Sequence, residues 1–203
     1  ERTARKYLGL EEYARDVALK KPAVGVATGM AKTMSGGEIL FVEALKMPGR
    51  GMMRITGQLG DVMKESAEAA MSFVRANYLP KSKTPDFFEK HDIHLHVPAG
   101  AVPKDGPSAG VAIAATIVSL LFNKPLRNDF AMTGEITLTG KVLPIGGLKD
   151  KAIAAHRAGI RTIIFPKANR RELDEIPDII KKDLVFIAID RASEAIEKTI
   201  IWN

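Results

Sequence analysis

The sequence predicts an α/β domain on a mixed (α+β) sheet, and three observations carry that reading. Strand-like and helix-like segments alternate through the C-terminal half, the order expected of parallel strands with crossover helices. Short apolar runs separated by Gly and Pro fill the N-terminal part and suggest an antiparallel meander. Between them, Ser108 to about Leu121 is apolar all round, so this helix has to be central and buried on most sides.

Taken in order, residues 1–22 are charge-dense, end at Pro22, and read as a short helix or a linker from an upstream module, with the domain proper at 23–203. Strands are expected at Ala23–Thr28, Glu38–Leu45 and Met52–Thr56, set off by Gly36-Gly37 and Pro48-Gly49. From Leu59 to Asn77 the period becomes helical, with Leu59, Val62, Met63, Ala67, Ala70 and Val74 on one face. Leu79–Asp92 reads as a polar loop, and Ile93–Pro98 as a strand by its strict alternation. The Gly/Pro-rich stretch Ala99–Pro107 leads into the buried helix. Strand Phe130–Thr133, a hairpin through Gly134–Pro144, helix Gly147–Ala158 and strand Arg161–Pro166 follow. Helix Arg170–Ile176, strand Leu184–Ile189 and helix Ala192–Ile200 complete the series.

Composition narrows the chemistry. A chain of 203 residues with 46% hydrophobic and 27% charged residues is sized for one globular domain. It has no cysteine, which removes disulfides, thiolate metal sites and cysteine nucleophiles, so any nucleophile comes from another residue type. The net charge of +6 is mild and fits solubility as well as an anionic partner. The uncharged run Ser108 to Phe122 falls short of the ~20 residues a bilayer requires. No signal-peptide pattern opens the chain, and it starts at Glu1 rather than Met. A cytoplasmic domain of a longer protein, with no membrane association, is the expectation.

The most informative segment is Lys104-Asp105-Gly106-Pro107-Ser108-Ala109-Gly110. Here a hydroxyl residue stands where a loop turns into a buried helix, and where free N–H groups and the positive end of the helix dipole converge. Such a place stabilises an alkoxide and the oxyanion of a tetrahedral intermediate. Gly106, Ala109 and Gly110 leave room for a substrate backbone. Serine is also a preferred helix cap, and on spacing alone that ordinary role is favoured.

A nucleophilic serine needs a base. His94 and His96 share a strand face, but no spacing joins them to Ser108 in a triad, and as metal ligands they lack a third partner. No metal site is expected. On helix Gly147–Ala158, Leu148, Lys151, Ala152 and Ala155 fall at i, i+3, i+4 and i+7, which puts Lys151 on the small apolar stripe and turns Lys149 outward. Burial lowers a lysine's pKa towards the proton-accepting form. A lysine snorkelling to water fits the same periodicity and is favoured by it alone.

Three motifs tip both balances. Lys104–Gly110 (KDGPSAG), Met132–Gly140 (MTGEITLTG) and Val142–Lys151 (VLPIGGLKDK) resemble, in order, the proteolytic domain of the Lon protease family in its bacterial-type form. The likeness runs from about Val24 to near residue 200. It implies the fold of the second domain of ribosomal protein S5 and a serine endopeptidase with a Ser-Lys dyad. By that resemblance Ser108 is the nucleophile, Lys151 its base, and Thr133 orients the lysine. Asp105 shapes access to the serine or pairs with Lys151, and Glu43, His94 and His96 match accessory polar positions. The resemblance further implies a homo-hexameric ring, substrates that are unfolded or damaged proteins, and an upstream ATPase module that alone would take ATP-Mg. KYLG at Lys6–Gly9 resembles the junction to that module.

Two positions depart from the family pattern. Lys32 stands where many members have an aromatic, and Thr139 where many have Arg. Within the chain the one P-loop-like stretch, Gly134–Lys141, has five residues between its glycines rather than four, and Val142 follows the lysine, so no cofactor is expected here. The rival readings are a small-molecule kinase of related fold, which needs nucleotide affinity, and a non-catalytic assembly or nucleic-acid module. DNA contact has no aromatic-basic interleaving behind it.

Overall fold

The computed structural model describes residues 18–33, 36–98 and 104–202. Residues 1–17 of the predicted linker 1–22, the KYLG segment within it and loop residues 99–103 lie outside them. Strands β1 (Val26–Thr33), β2 (Gly36–Pro48), β3 (Met53–Thr56), β4 (His91–His96), β5 (Phe130–Met132), β8 (Thr162–Pro166) and β9 (Val185–Ile189) form one mixed sheet in the order β3-β4-β2-β1-β5-β8-β9. β6 (Glu135–Ile136) and β7 (Val142–Leu143) make a separate hairpin. Helices α1 (Asp61–Asn77), α3 (Gly110–Phe122) and α6 (Ala192–Thr199) pack on one face, and α4 (Leu148–Arg157) with α5 (Asp178–Asp183) on the other. The short α2 (Phe87–Lys90) precedes β4.

The predicted mixed α/β architecture is present, with one change in strand order. β3 does not extend a meander from β2; it pairs in parallel with β4, which itself lies antiparallel to β2. Parallel pairing needs a crossover, and α1 between β3 and β4 provides it. The predicted loop 79–92 contains a 3-10 turn at Leu79–Lys81 and α2, whose Phe87 and Phe88 are buried and anchor it. The helix expected at Arg170–Ile176 is a 3-10 segment, Lys167–Glu175, and α5 starts only after Pro177.

α3 is the centre of the molecule. Every residue from Gly110 to Leu121 is buried, as a helix without a polar face requires, and Asn123 ends it in the left-handed conformation at φ 52°. Its start is wedged between neighbours: a Cβ on Gly110 would lie 2.7 Å from Ile136 Cγ2 and 2.9 Å from Ser66 Oγ. A comparable close approach sits across the sheet. A Cβ on Gly37 of β2 would lie 2.0 Å from the Asp150 carbonyl oxygen, so α4 rests directly on the strand backbone there. The two approaches bring the starts of α3 and α4 towards the end of β5.

Candidate active site

Ser108 lies half-buried in the 3-10 turn Pro107–Ala109 that runs into α3. Its carbonyl accepts the Gly134 N–H at 2.8 Å and the Thr133 hydroxyl at 3.3 Å, while Val111 N–H donates to the Gly134 carbonyl at 3.1 Å. Ser66 Oγ donates to the Pro107 carbonyl at 3.1 Å. The turn is therefore held by the segment after β5 on one side and by α1 on the other.

Lys151 is 2% exposed and Thr133 0%. The lysine's Nζ donates to Thr133 Oγ1 at 2.9 Å. A hydroxyl has one hydrogen and two lone pairs. Thr133 spends its hydrogen on the Ser108 carbonyl and offers a lone pair to Lys151, which joins the lysine to the serine's backbone. Among the described residues no hydrogen bond links Lys151 Nζ directly to Ser108 Oγ. Burial pulls the lysine's pKa down to about 8; Glu172 opposes that shift and Lys32 adds to it. At pH 7 roughly a tenth of this amine is then unprotonated, and the fraction grows as pH rises towards 8. Lys149 is exposed, as its place on the helix predicts.

Both helices beside the site are capped from outside by carboxylates. α1 begins after Gly60, which has no side chain to cap it, and Asp105 Oδ1 accepts the Met63 N–H at 3.1 Å instead. The same oxygen accepts the Gly106 N–H at 2.9 Å, so this predicted oxyanion donor is already engaged and Asp105 ties the loop to α1 rather than pairing with Lys151. Ala109 is buried at the close of the turn. α4 is capped by Glu172, whose carboxylate accepts the Leu148 N–H at 3.3 Å. Asn169, 4% exposed, donates to Glu172 and clamps Ile145, accepting its N–H at 3.0 Å and donating to its carbonyl at 2.7 Å. Carboxylates are favoured at helix starts by the dipole. Asn169 and Glu172 escaped the sequence reading because their stretch looks like a surface helix. The asparagine beside the Pro166 strand end was the one signal available.

Glu43, His94 and His96 form a different group. Glu43 is opposite His96 in the β2–β4 register, and both histidines are half-buried on the sheet face away from α3. Thr56, opposite His96 on β3, binds His94 Nε2 at 2.8 Å and His96 Nδ1 at 2.7 Å. No hydrogen bond among the described residues connects this group to Ser108, Thr133 or Lys151. Of the two departures, Thr139 is exposed on the β6–β7 hairpin and bonds Thr137 at 3.1 Å. Lys32 pairs with Asp150 at 3.1 Å. No helix among the described residues is long and apolar enough to cross a membrane.

Comparison with known proteins identifies the family. Residues 1–202 match the family model of the Lon protease (S16) C-terminal proteolytic domain. The chain is 53% identical over 195 residues to a Lon protease of Syntrophus aciditrophicus, covering 96% of this chain and 25% of that relative. It is 54% identical over 186 residues to one from Geobacter metallireducens, covering 92% and 23%. With the Lon protease of Desulfatibacillum aliphaticivorans it shares 50% over 196 residues, covering 97% and 24%. The chain thus spans about a quarter of the length of these relatives. Neither the kinase nor the non-catalytic reading is favoured by these matches. Agreement along nearly the whole chain leads to one statement: this chain belongs to the Lon protease family, as its serine endopeptidase domain.

Proposed function

We propose that Ser108 and Lys151 form the catalytic dyad of this domain, with Thr133 as the residue that orients the lysine. The observation carrying this reading is the buried Lys151–Thr133–Ser108 connection, in which the amine sits at the end of a fixed hydroxyl with its pKa brought to about 8. Neutral Lys151 uses one N–H on Thr133 and keeps its lone pair for the Ser108 hydroxyl proton. The direct Oγ–Nζ contact closes when substrate is bound, as catalytic hydrogen bonds commonly tighten in the Michaelis complex. The serine oxygen attacks the peptide carbonyl, and backbone N–H groups of the turn around Ala109, aided by the α3 dipole, hold the oxyanion. The ammonium then protonates the leaving amine. Water, deprotonated by the same lysine, hydrolyses the acyl-enzyme and frees Ser108.

The domain works within a longer protein. An upstream ATPase module delivers unfolded or damaged proteins to a cytoplasmic homo-hexamer, and ATP-Mg acts in that module, away from Ser108. The one-quarter coverage of the Lon relatives supports a larger whole. The test is hydrolysis of an unstructured fluorogenic peptide by the chain and by Ser108→Ala and Lys151→Ala variants of unchanged fold. Each substitution is expected to lower turnover by at least ~10³-fold, the scale on which dyad members act. Full turnover in either variant contradicts the assignment.

A further inference from the structure

We propose that Ser66, on α1, is a positioning residue for the nucleophile turn: its hydroxyl holds the Pro107–Ser108 peptide so that the Ser108 N–H stays aimed at the oxyanion formed on the substrate. This rests on the reading of Ser108 as the nucleophile.

Ser66 lies on the buried face of α1 with Met63, Ala67 and Ala70, and is 7% exposed. A serine is a poorer helix former than alanine, and a buried hydroxyl has to find a partner. The local acceptor for a helical serine is the carbonyl four residues earlier. Ser66 instead donates out of its helix, to the Pro107 carbonyl at 3.1 Å, 41 residues away in sequence. Gly110 leaves room for this, since a Cβ there would stand 2.9 Å from Ser66 Oγ. α1 also grips the loop further upstream, where Asp105 accepts the Met63 N–H and the Lys104 carbonyl accepts the Gly60 N–H at 2.7 Å. Ser66 is the contact that reaches the peptide bond of the nucleophile itself.

The Pro107 carbonyl has two lone pairs; the Gly110 N–H takes one and the Ser66 hydroxyl the other. A trans peptide is planar, with its carbonyl and N–H pointing in opposite directions. A carbonyl held from two sides therefore fixes the Ser108 N–H as well. That N–H belongs to the open start of the helix, and among the described residues no acceptor is bonded to it. The other peptide of the serine is held in the same way, its carbonyl accepting the Gly134 N–H and the Thr133 hydroxyl. Both planes flanking Ser108 are thus pinned, one by the segment after β5 and one by α1. Stability leaves Ser66 little to do, because without it the Pro107 carbonyl keeps the Gly110 N–H and alanine is the better helix former. What goes is the second anchor of the plane, and a donor serves an oxyanion only while it is aimed at it.

The experiment compares the chain with Ser66→Ala in hydrolysis of an unstructured fluorogenic peptide and in direct binding of two analogues, a peptide aldehyde and the corresponding alcohol. With the aldehyde, Ser108 Oγ bonds to the carbonyl carbon, its proton passes to Lys151, and the former carbonyl oxygen takes the negative charge. The alcohol binds without reacting. In Ser66→Ala kcat is expected to fall about 10–30-fold with KM unchanged, a part of the ~10²–10³ that loss of an oxyanion donor costs. Aldehyde affinity is expected to fall by a like factor, while alcohol affinity stays within about twofold of wild type. A role in packing alone would not separate the two analogues. Ser66→Cys, which keeps a weak donor of similar size, is expected to fall between, and it carries the same comparison if Ser66→Ala does not fold. A kcat within about twofold of wild type, a fall in kcat with aldehyde affinity intact, or an equal loss for both analogues overturns the proposal. Failure of the dyad assignment registers separately, as activity retained in Ser108→Ala.

Discussion

Two polar groups stand on this sheet, and their surroundings separate them. Lys151 and Thr133 lie between α4 and the end of β5, nearly or wholly without solvent contact, and the lysine has lost much of its hold on a proton. Thr56, His94 and His96 sit on β3 and β4, beyond β1 and β2, on a face that no helix among the described residues covers, beside exposed Glu43 and Leu45. Each group has a threonine at its centre and short hydrogen bonds. The difference is desolvation. Desolvation weakens the buried amine's hold on its proton, at a cost in stability.

That contrast is sharpest in Lys151→Met. Peptide hydrolysis is expected to fall at least ~10³-fold, while stability rises. A lysine whose pKa drops from 10.5 to about 8 on folding destabilises the native state fully below about pH 8. The penalty disappears as pH climbs to the unfolded value, because over that interval the unfolded chain binds more protons. At pH 7 the methionine variant is expected to gain on the order of 1–3 kcal/mol, readable by urea denaturation. A variant both inactive and less stable would break the account of the pocket.

A smaller effect is expected from Thr133→Val. It removes the acceptor for Lys151 and the donor to the Ser108 carbonyl, so kcat should fall about 10–100-fold with little change in KM, whereas Thr133→Ser retains most activity. Smaller still is Thr56→Val on the solvated face. Two hydrogen bonds to partly exposed histidines are lost, and stability should drop by about 1 kcal/mol, measured as a shift in the urea midpoint. A loss as large as that of a buried network would mean that this face is covered after all.

Which features the sequence carried follows from the same physics. The buried α3 was legible because Ser108–Leu121 has no polar face; the register of Lys151 with Leu148, Ala152 and Ala155 allowed burial but favoured a snorkelling side chain, and only the motif resemblance tipped that balance. Thr133 came only from resemblance to a known motif; no periodicity marks a threonine one residue beyond a three-residue strand. Strand order was not legible where β4 inserts between β2 and β3, since alternation gives a strand its faces and not its neighbours. For that reason Thr56 was missed: its two histidine partners depend on the parallel register. Glu172 was missed because it comes from another element and reads as an ordinary surface charge, and Lys32 stood out only as a departure from the family pattern.

The central claim is that a buried lysine, and not a histidine, supplies the base. Its most direct test is the pH dependence of kcat for a peptide substrate. Raising pH deprotonates Lys151 and so raises the rate, and the account predicts an acid limb with a midpoint near 8, which disappears together with the activity in Lys151→Met. A midpoint near the ordinary histidine value of about 6.5, or a rate flat across this range, would contradict it.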